Sequence, residues 1–158
     1  MSVQLAEGTE QTSRDTPLIS LLLAYSAMIP VAAGAVAVWV APPVWTSLII
    51  RIDSFWCGAL LCFFAGVRRG LSFRQSGGPA LAQLGGMLWL FGLGIATILS
   101  PWRTVSLVLP LIGFSSMFWL DAEATRRHEA PLYFAKLRAV QLWIPVISLA
   151  VMLGRTIL

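Results

Sequence analysis

Residues 54–70 read SFWCGALLCFFAGVRRG, and Ser54, Gly58, Cys62, Gly66 and Gly70 recur at every fourth position among Phe, Trp, Ala, Leu and Val. Side chains four apart on a helix stack along one face, so the spacing predicts a helix with a smooth groove of small residues. Between helices in lipid, burial of apolar surface gives little drive to associate, because the lipid tails are equally apolar. Close backbone approach over small residues then supplies much of the attraction. The stretch therefore points to the central helix, residues 44–70, of an all-α integral membrane bundle whose other helices pack on the groove.

Composition agrees. The chain has 158 residues, of which 58% are hydrophobic and 11% charged, and its mean hydropathy is +0.81. Soluble domains carry roughly 25% charged residues, so one integral membrane domain is expected. Outward from the central helix, apolar runs place five transmembrane helices at residues 17–40, 44–70, 80–99, 104–120 and 137–158. Thr16-Pro17 is a start signal for the first, Pro30 predicts a kink within it, and Ala41-Pro42-Pro43 ends it. Gln75 to Pro79 reads as a loop and Ser100 to Arg103 as a short turn. The fourth run, which contains Pro110, lies near the lower length limit for a span. Asp121 to Glu129 reads as a charged loop, Tyr133 to Lys136 as an interfacial half-turn, and Pro145 interrupts the last run. Residues 1–16 carry Glu7, Glu10, Arg14 and Asp15 and lack the positive start and early apolar core of a secretory signal. They read as an uncleaved cytoplasmic tail.

Five spans put the termini on opposite sides. One side then holds Arg14, Arg68, Arg69, Arg74, Arg126, Arg127, Lys136 and Arg138, and the other only Arg51, Arg103 and Arg155. The positive-inside rule makes the first side cytoplasmic, with the N-terminus and the two longer loops. Trp39, Trp45 and Trp102 fall near the outer interface, and Trp119 and Tyr133 near the inner one.

Ionisable groups inside a span are costly, which singles out Arg51 and Asp53. Two residues apart, they face different sides of a helix and cannot pair with each other. Arg51 can snorkel toward the outer face. Asp53 needs a partner, and Arg103 and Arg155 lie at the same level. The plain reading is a structural ion pair; the functional one is a proton or ligand site. Arg68-Arg69 and Arg126-Arg127 read as anchors on lipid phosphates. Asp121 closes run four and Arg138 opens run five, so a salt bridge clamping the two helix ends is expected. Tyr25 and Gln83 each read as the source of one interhelical hydrogen bond.

Other chemistry is not signalled. Cys57 and Cys62, five apart, point about 140° apart around a helix and cannot bridge each other; they read as small apolar fillers. His128 has no second ligand near it in sequence. Gly77-Gly78-Pro79 lacks the Lys and Ser/Thr of a phosphate loop. No nucleophile–base pair, metal cluster or basic stripe for nucleic acid occurs, so neither an enzyme nor a cofactor is expected.

Three short motifs carry a family resemblance. Ala24-Tyr25-Ser26-Ala27-Met28-Ile29-Pro30, then Trp56 through Cys62-Phe63-Phe64-Ala65-Gly66-Val67-Arg68-Arg69-Gly70, then Asp121 followed by Tyr133-Phe134 and Leu137-Arg138, come in this order. The chain so resembles the domain of unknown function 3429 family of transmembrane protein 69-like proteins, from Ala24 to about Leu153. Against the family pattern Arg69 stands for Trp, Cys62 for Ser and Trp56 for Tyr. The resemblance implies a small polytopic protein of the bacterial inner membrane, with relatives in mitochondria, and no established activity. The expected function is that of a non-catalytic accessory or assembly subunit, in contact with lipid and with another integral membrane protein. The alternative is a small transporter or hydrophobic-ligand binder with a cavity near Asp53, lined also by Tyr25 and Arg155.

Overall fold

The computed structural model describes residues 18–72, 81–126 and 132–157, and among these the only regular secondary structure is α-helix. The helices are α1 (Leu18–Ser26), α2 (Ile29–Val40), α3 (Pro43–Ser72), α4 (Leu81–Leu99), α5 (Arg103–Arg126) and α6 (Leu132–Ile157). Five stretches are long and apolar enough to cross a membrane: Leu22–Val40, Pro43–Gly70, Leu81–Leu99, Arg103–Glu123 and Val140–Ile157. The N-terminal tail, the Gln75–Pro79 loop, Arg127 and His128 lie outside the described residues.

Three boundaries differ from the sequence reading. The first span is two helices rather than one kinked rod. Pro30 brings no N–H, and its ring crowds the carbonyl four residues back, so the helical ladder cannot run through. The chain turns at Ala27-Met28 instead, where Met28 N–H donates to Tyr25 O at 2.9 Å. The fourth helix does not stop at Leu120. Asp121 to Arg126, read as the start of a loop, continue α5, because Ala and Glu are good helix formers whether or not they are apolar. Likewise residues 132–136 are the first turns of α6 rather than a separate half-turn.

Side-chain contacts fix the directions. Gly58 faces Gly94, and Cys62 Sγ lies 4.0 Å from Phe91 O, so α3 and α4 are antiparallel. Trp89 on Ser116 with Gly86 on Leu120 makes α4 and α5 antiparallel. Asp121 with Arg138 and Phe118 with Trp143 do the same for α5 and α6. Gln141 with Ala24 and Arg155 with Trp39 show α6 running parallel to α2. The up-down order leaves residues 18 and 157 at opposite ends of the bundle.

Helix α3 is its centre, packed against α2, α4 and α5. Half of its apolar window is buried, 50%, against 22–33% for the other four stretches. Its buried seam runs through Ile50, Asp53, Cys57, Leu61 and Phe64, and meets Val31 and Ala35 of α2, Leu107 and Phe114 of α5, and Leu149 of α6 in one core. The outer surface is the inverse of a soluble protein's: Leu22, Phe55, Phe63, Leu88, Trp89, Trp143 and Ile147 are all exposed. So large an apolar surface suits hydrocarbon rather than water.

The small-residue ridge of α3 is only partly covered. At Gly58 an added Cβ would sit 2.7 Å from Ile98 Cγ1 and 2.8 Å from Gly94 O, and at Gly94 it would sit 2.7 Å from both Cys62 Sγ and Gly58 O. Ser54 and Gly58 are buried and Cys62 is half-buried beside them. Gly66 and Gly70 are exposed, with nothing within 4 Å of an added Cβ. The expectation that the bundle's own helices cover all five positions is corrected: they cover Ser54 to Cys62. A similar close fit at Gly113, where an added Cβ would meet Leu61 Cδ1 at 2.6 Å, brings α5 onto α3.

These distances order a substitution series. Gly58→Ala and Gly94→Ala must push two backbones apart and should each lose about 1–3 kcal/mol of unfolding free energy, the usual range for overpacking. Gly66→Ala meets no neighbour and should gain up to about 1 kcal/mol from helix propensity. Reversible unfolding in mixed detergent micelles, followed by circular dichroism, measures both.

Candidate functional site

Two polar features stand out within the bundle, one at Asp53 and one at Asp121, and a third set of polar groups serves the backbone. That set is the simplest. The break at Ala27-Met28 leaves carbonyls without their helical donors, and side chains from other helices reach them. Trp56 Nε1–H donates to Ala27 O at 2.9 Å, and Gln141 Nε2–H donates to Ala24 O at 2.7 Å. Gln141 is 5% exposed, so this bond is what permits an amide there. Tyr25, expected to supply an interhelical hydrogen bond, contributes only its own carbonyl. Arg51 Nη1–H donates to Ser100 O at 2.7 Å, just past the last residue of α4, at the negative end of that helix.

Asp53 lies on the α2-facing side of α3 and is 4% exposed. The absence of a side chain at Gly34 makes room for it: a Cβ there would fall 2.7 Å from Asp53 Cγ and Oδ1. The expected structural ion pair does not form. Among the described residues no cation lies within 4.0 Å of its carboxyl, and Oδ2 is buried without a hydrogen-bond partner. Arg51 is turned to Ser100, Arg155 lies over the Trp39 ring at 5.7 Å, and Arg103 is exposed. Two turns toward the Pro43 end, on the same face of α3, Thr46 Oγ1 is also buried and without a partner. The neighbouring hydroxyls are satisfied: Ser54 donates to Ser106 Oγ at 3.1 Å, and Ser106 donates to Arg103 O at 2.8 Å.

At the other end, three helices meet on Asp121. Arg138 Nε lies 3.6 Å from its Oδ2, which is where the sequence put a clamp, and Arg68 Nη1 lies 3.5 Å from its Oδ1. Arg68 is therefore no free lipid anchor: it also donates to Leu120 O at 2.8 Å. The Arg138 guanidinium stacks over the Phe64 ring at 4.6 Å, and Phe64 meets Phe114 edge-on at 6.3 Å. One carboxylate thus ties α3, α5 and α6, and the aromatic pair beneath keeps the charges out of the apolar core. The pairing of Arg68 with Asp121 was hidden in the sequence. Only the heptad-like step from Leu61 through Phe64 to Arg68, all on one face of α3, hints that Arg68 points inward.

No family model, curated protein or solved structure matches the chain. Among the described residues no group of His, Cys, Asp and Glu is placed to hold a metal. Cys57 is buried and Cys62 half-buried, both as free thiols.

The node at Asp121 makes a directional prediction. Removing its carboxylate leaves two buried guanidiniums facing each other, whereas removing one arginine leaves a pair. Asp121→Asn should therefore lose about 3–5 kcal/mol, the range for breaking a buried ion pair, and Arg68→Gln distinctly less. Unfolding titrations of the two variants, measured side by side, check the order.

Proposed function

We propose that the chain is a non-catalytic multi-pass protein of the bacterial inner membrane that packs against a larger membrane complex as an accessory or assembly subunit. In this reading the N-terminus and the loops after α3 and α5 are cytoplasmic, which the excess of Lys and Arg on that side supports. The domain of unknown function 3429 family, to which the three motifs point, is its proposed home.

One observation carries the reading. The ridge that brings α3 and α4 together through Gly58 and Gly94 continues past Cys62 as Gly66 and Gly70, open and flanked by exposed Phe63. A helix from another protein could approach there as closely as α4 does one turn away, by the same backbone contact. The second reading, a transporter or hydrophobic-ligand binder, is favoured by the orphaned oxygen of Asp53. The other two residues expected to line its cavity do not gather there. Tyr25 lies nine residues before Gly34, and Arg155 lies over Trp39, five residues after it.

Because Gly66 touches nothing in the bundle, a large residue there separates docking from folding. Gly66→Leu should leave the unfolding midpoint of the isolated protein no lower than that of the native chain, as for Gly66→Ala, while the protein loses, by tenfold or more, whatever membrane protein copurifies with it in mild detergent. Quantitative mass spectrometry of the purified material reads this. Unchanged copurification with Gly66→Leu would remove the ridge from the proposal.

A further inference from the structure

We infer that Asp53 is a reversible proton-binding site inside the bundle, loaded from the Pro43 end of α3. Three observations support it, and they are independent of the open ridge. The carboxyl is nine-tenths buried or more, with Oδ2 unpartnered. It occupies room that only a residue without a side chain at position 34 provides. A second buried oxygen without a partner, Thr46 Oγ1, lies on the same face of the same helix, about 10 Å nearer the end at seven residues of helical rise.

The surroundings select the proton over other ligands. A sodium or calcium ion needs several converging oxygens, but the nearby hydroxyls of Ser54 and Ser106 are bonded to one another and to the backbone. A proton needs one oxygen. An ionised carboxylate in an apolar interior without a cation is strongly disfavoured, and binding a proton relieves that penalty. The other groups around the site do not compete for the proton. Helix α2, which packs against Asp53, contains no ionisable side chain, and neither does α4. On α3, Cys57 lies one turn further along the seam as a buried thiol, and Arg51 is held by Ser100 O. From α5, Arg103 is exposed, and from α6, Arg155 is stacked on Trp39. The exchange itself is simple. A hydronium arriving past Thr46 gives a proton to Asp53 Oδ2 and leaves as water, and the reverse step returns the carboxylate.

Infrared difference spectroscopy of the protein in lipid vesicles, between acid and alkaline buffer, tests this. A carboxylic-acid C=O band should be lost reversibly as pH rises, shift with 13C-aspartate and be absent in Asp53→Asn. The native chain gives a second measurement that needs no variant. An apolar carbodiimide, which reacts with protonated carboxyls, should label Asp53 at acid pH and lose at least tenfold in yield at alkaline pH, as peptide mapping shows. A band or a yield that does not change with pH marks a permanently protonated, structural acid and overturns the inference, as does no labelling at any pH. After a pH jump, Thr46→Val should slow loss of the band several-fold. An unchanged rate overturns loading past Thr46.

Discussion

The contact between Gly58 and Gly94 sets the geometry of everything else. Two helix backbones so close that neither glycine has room for a Cβ cannot slide or rotate without collision, so α3 is held at one angle about its axis. That angle sends Ser54 toward Ser106, Asp53 toward Gly34, and Phe64 and Arg68 toward α5 and α6. A bundle held together by interchangeable leucines would leave the rotation less well defined, because lipid and protein offer them much the same surroundings. Here the polar groups find their partners because the glycines have already fixed where each one points.

The limit of the sequence reading lies in the same ridge. A step of four residues advances about 40° beyond a full turn, so Ser54 and Gly70 end up about 160° apart around α3. The pattern is a slowly winding stripe, not a straight face, and a straight neighbour such as α4 can follow it for only two or three steps. Gly58 and Cys62 were legible for that reason, while Gly66 and Gly70 wind off toward the outside. The five spans were legible because hydropathy records where apolar runs lie. The continuation of α5 to Arg126 was not, since hydropathy is blind to a helix that goes on after its apolar run has ended. The Asp121–Arg138 clamp followed from the order of the helices alone. The part played by Arg68 did not, because a charge at the end of an apolar run looks the same whether it faces phosphate or a carboxylate on another helix.

Several polar side chains, buried and exposed alike, answer to a backbone need on another helix. Trp56 and Gln141 serve the carbonyls opened at the break before Pro30, Arg51 serves the end of α4, and Arg68 serves Leu120 O near the end of α5. In water these carbonyls would be solvated at no special penalty. In an apolar surrounding each unsatisfied one is costly, so a chain that breaks a helix must carry a donor on another helix to match. The Trp56 indole illustrates the point: it lies on an exposed part of α3, where any large apolar residue would fill the same space, yet its N–H is what Ala27 O requires.

Against that background Asp53 is the exception that needs a different explanation. A structural acid would be expected to do what the other polar groups do, to bond a carbonyl, cap a helix or pair with an arginine, and two arginines lie within a few turns of it. Both are engaged elsewhere, one by Ser100 O and one by Trp39. Packing alone would be met by Asn or Leu without the penalty of burying an acid. The room left at Gly34 is filled by a carboxyl whose buried Oδ2 has no hydrogen-bond partner among the described residues. A group held at such a cost, without a local partner, fits a site whose partner comes and goes, and a proton is the partner that the space around Asp53 can admit.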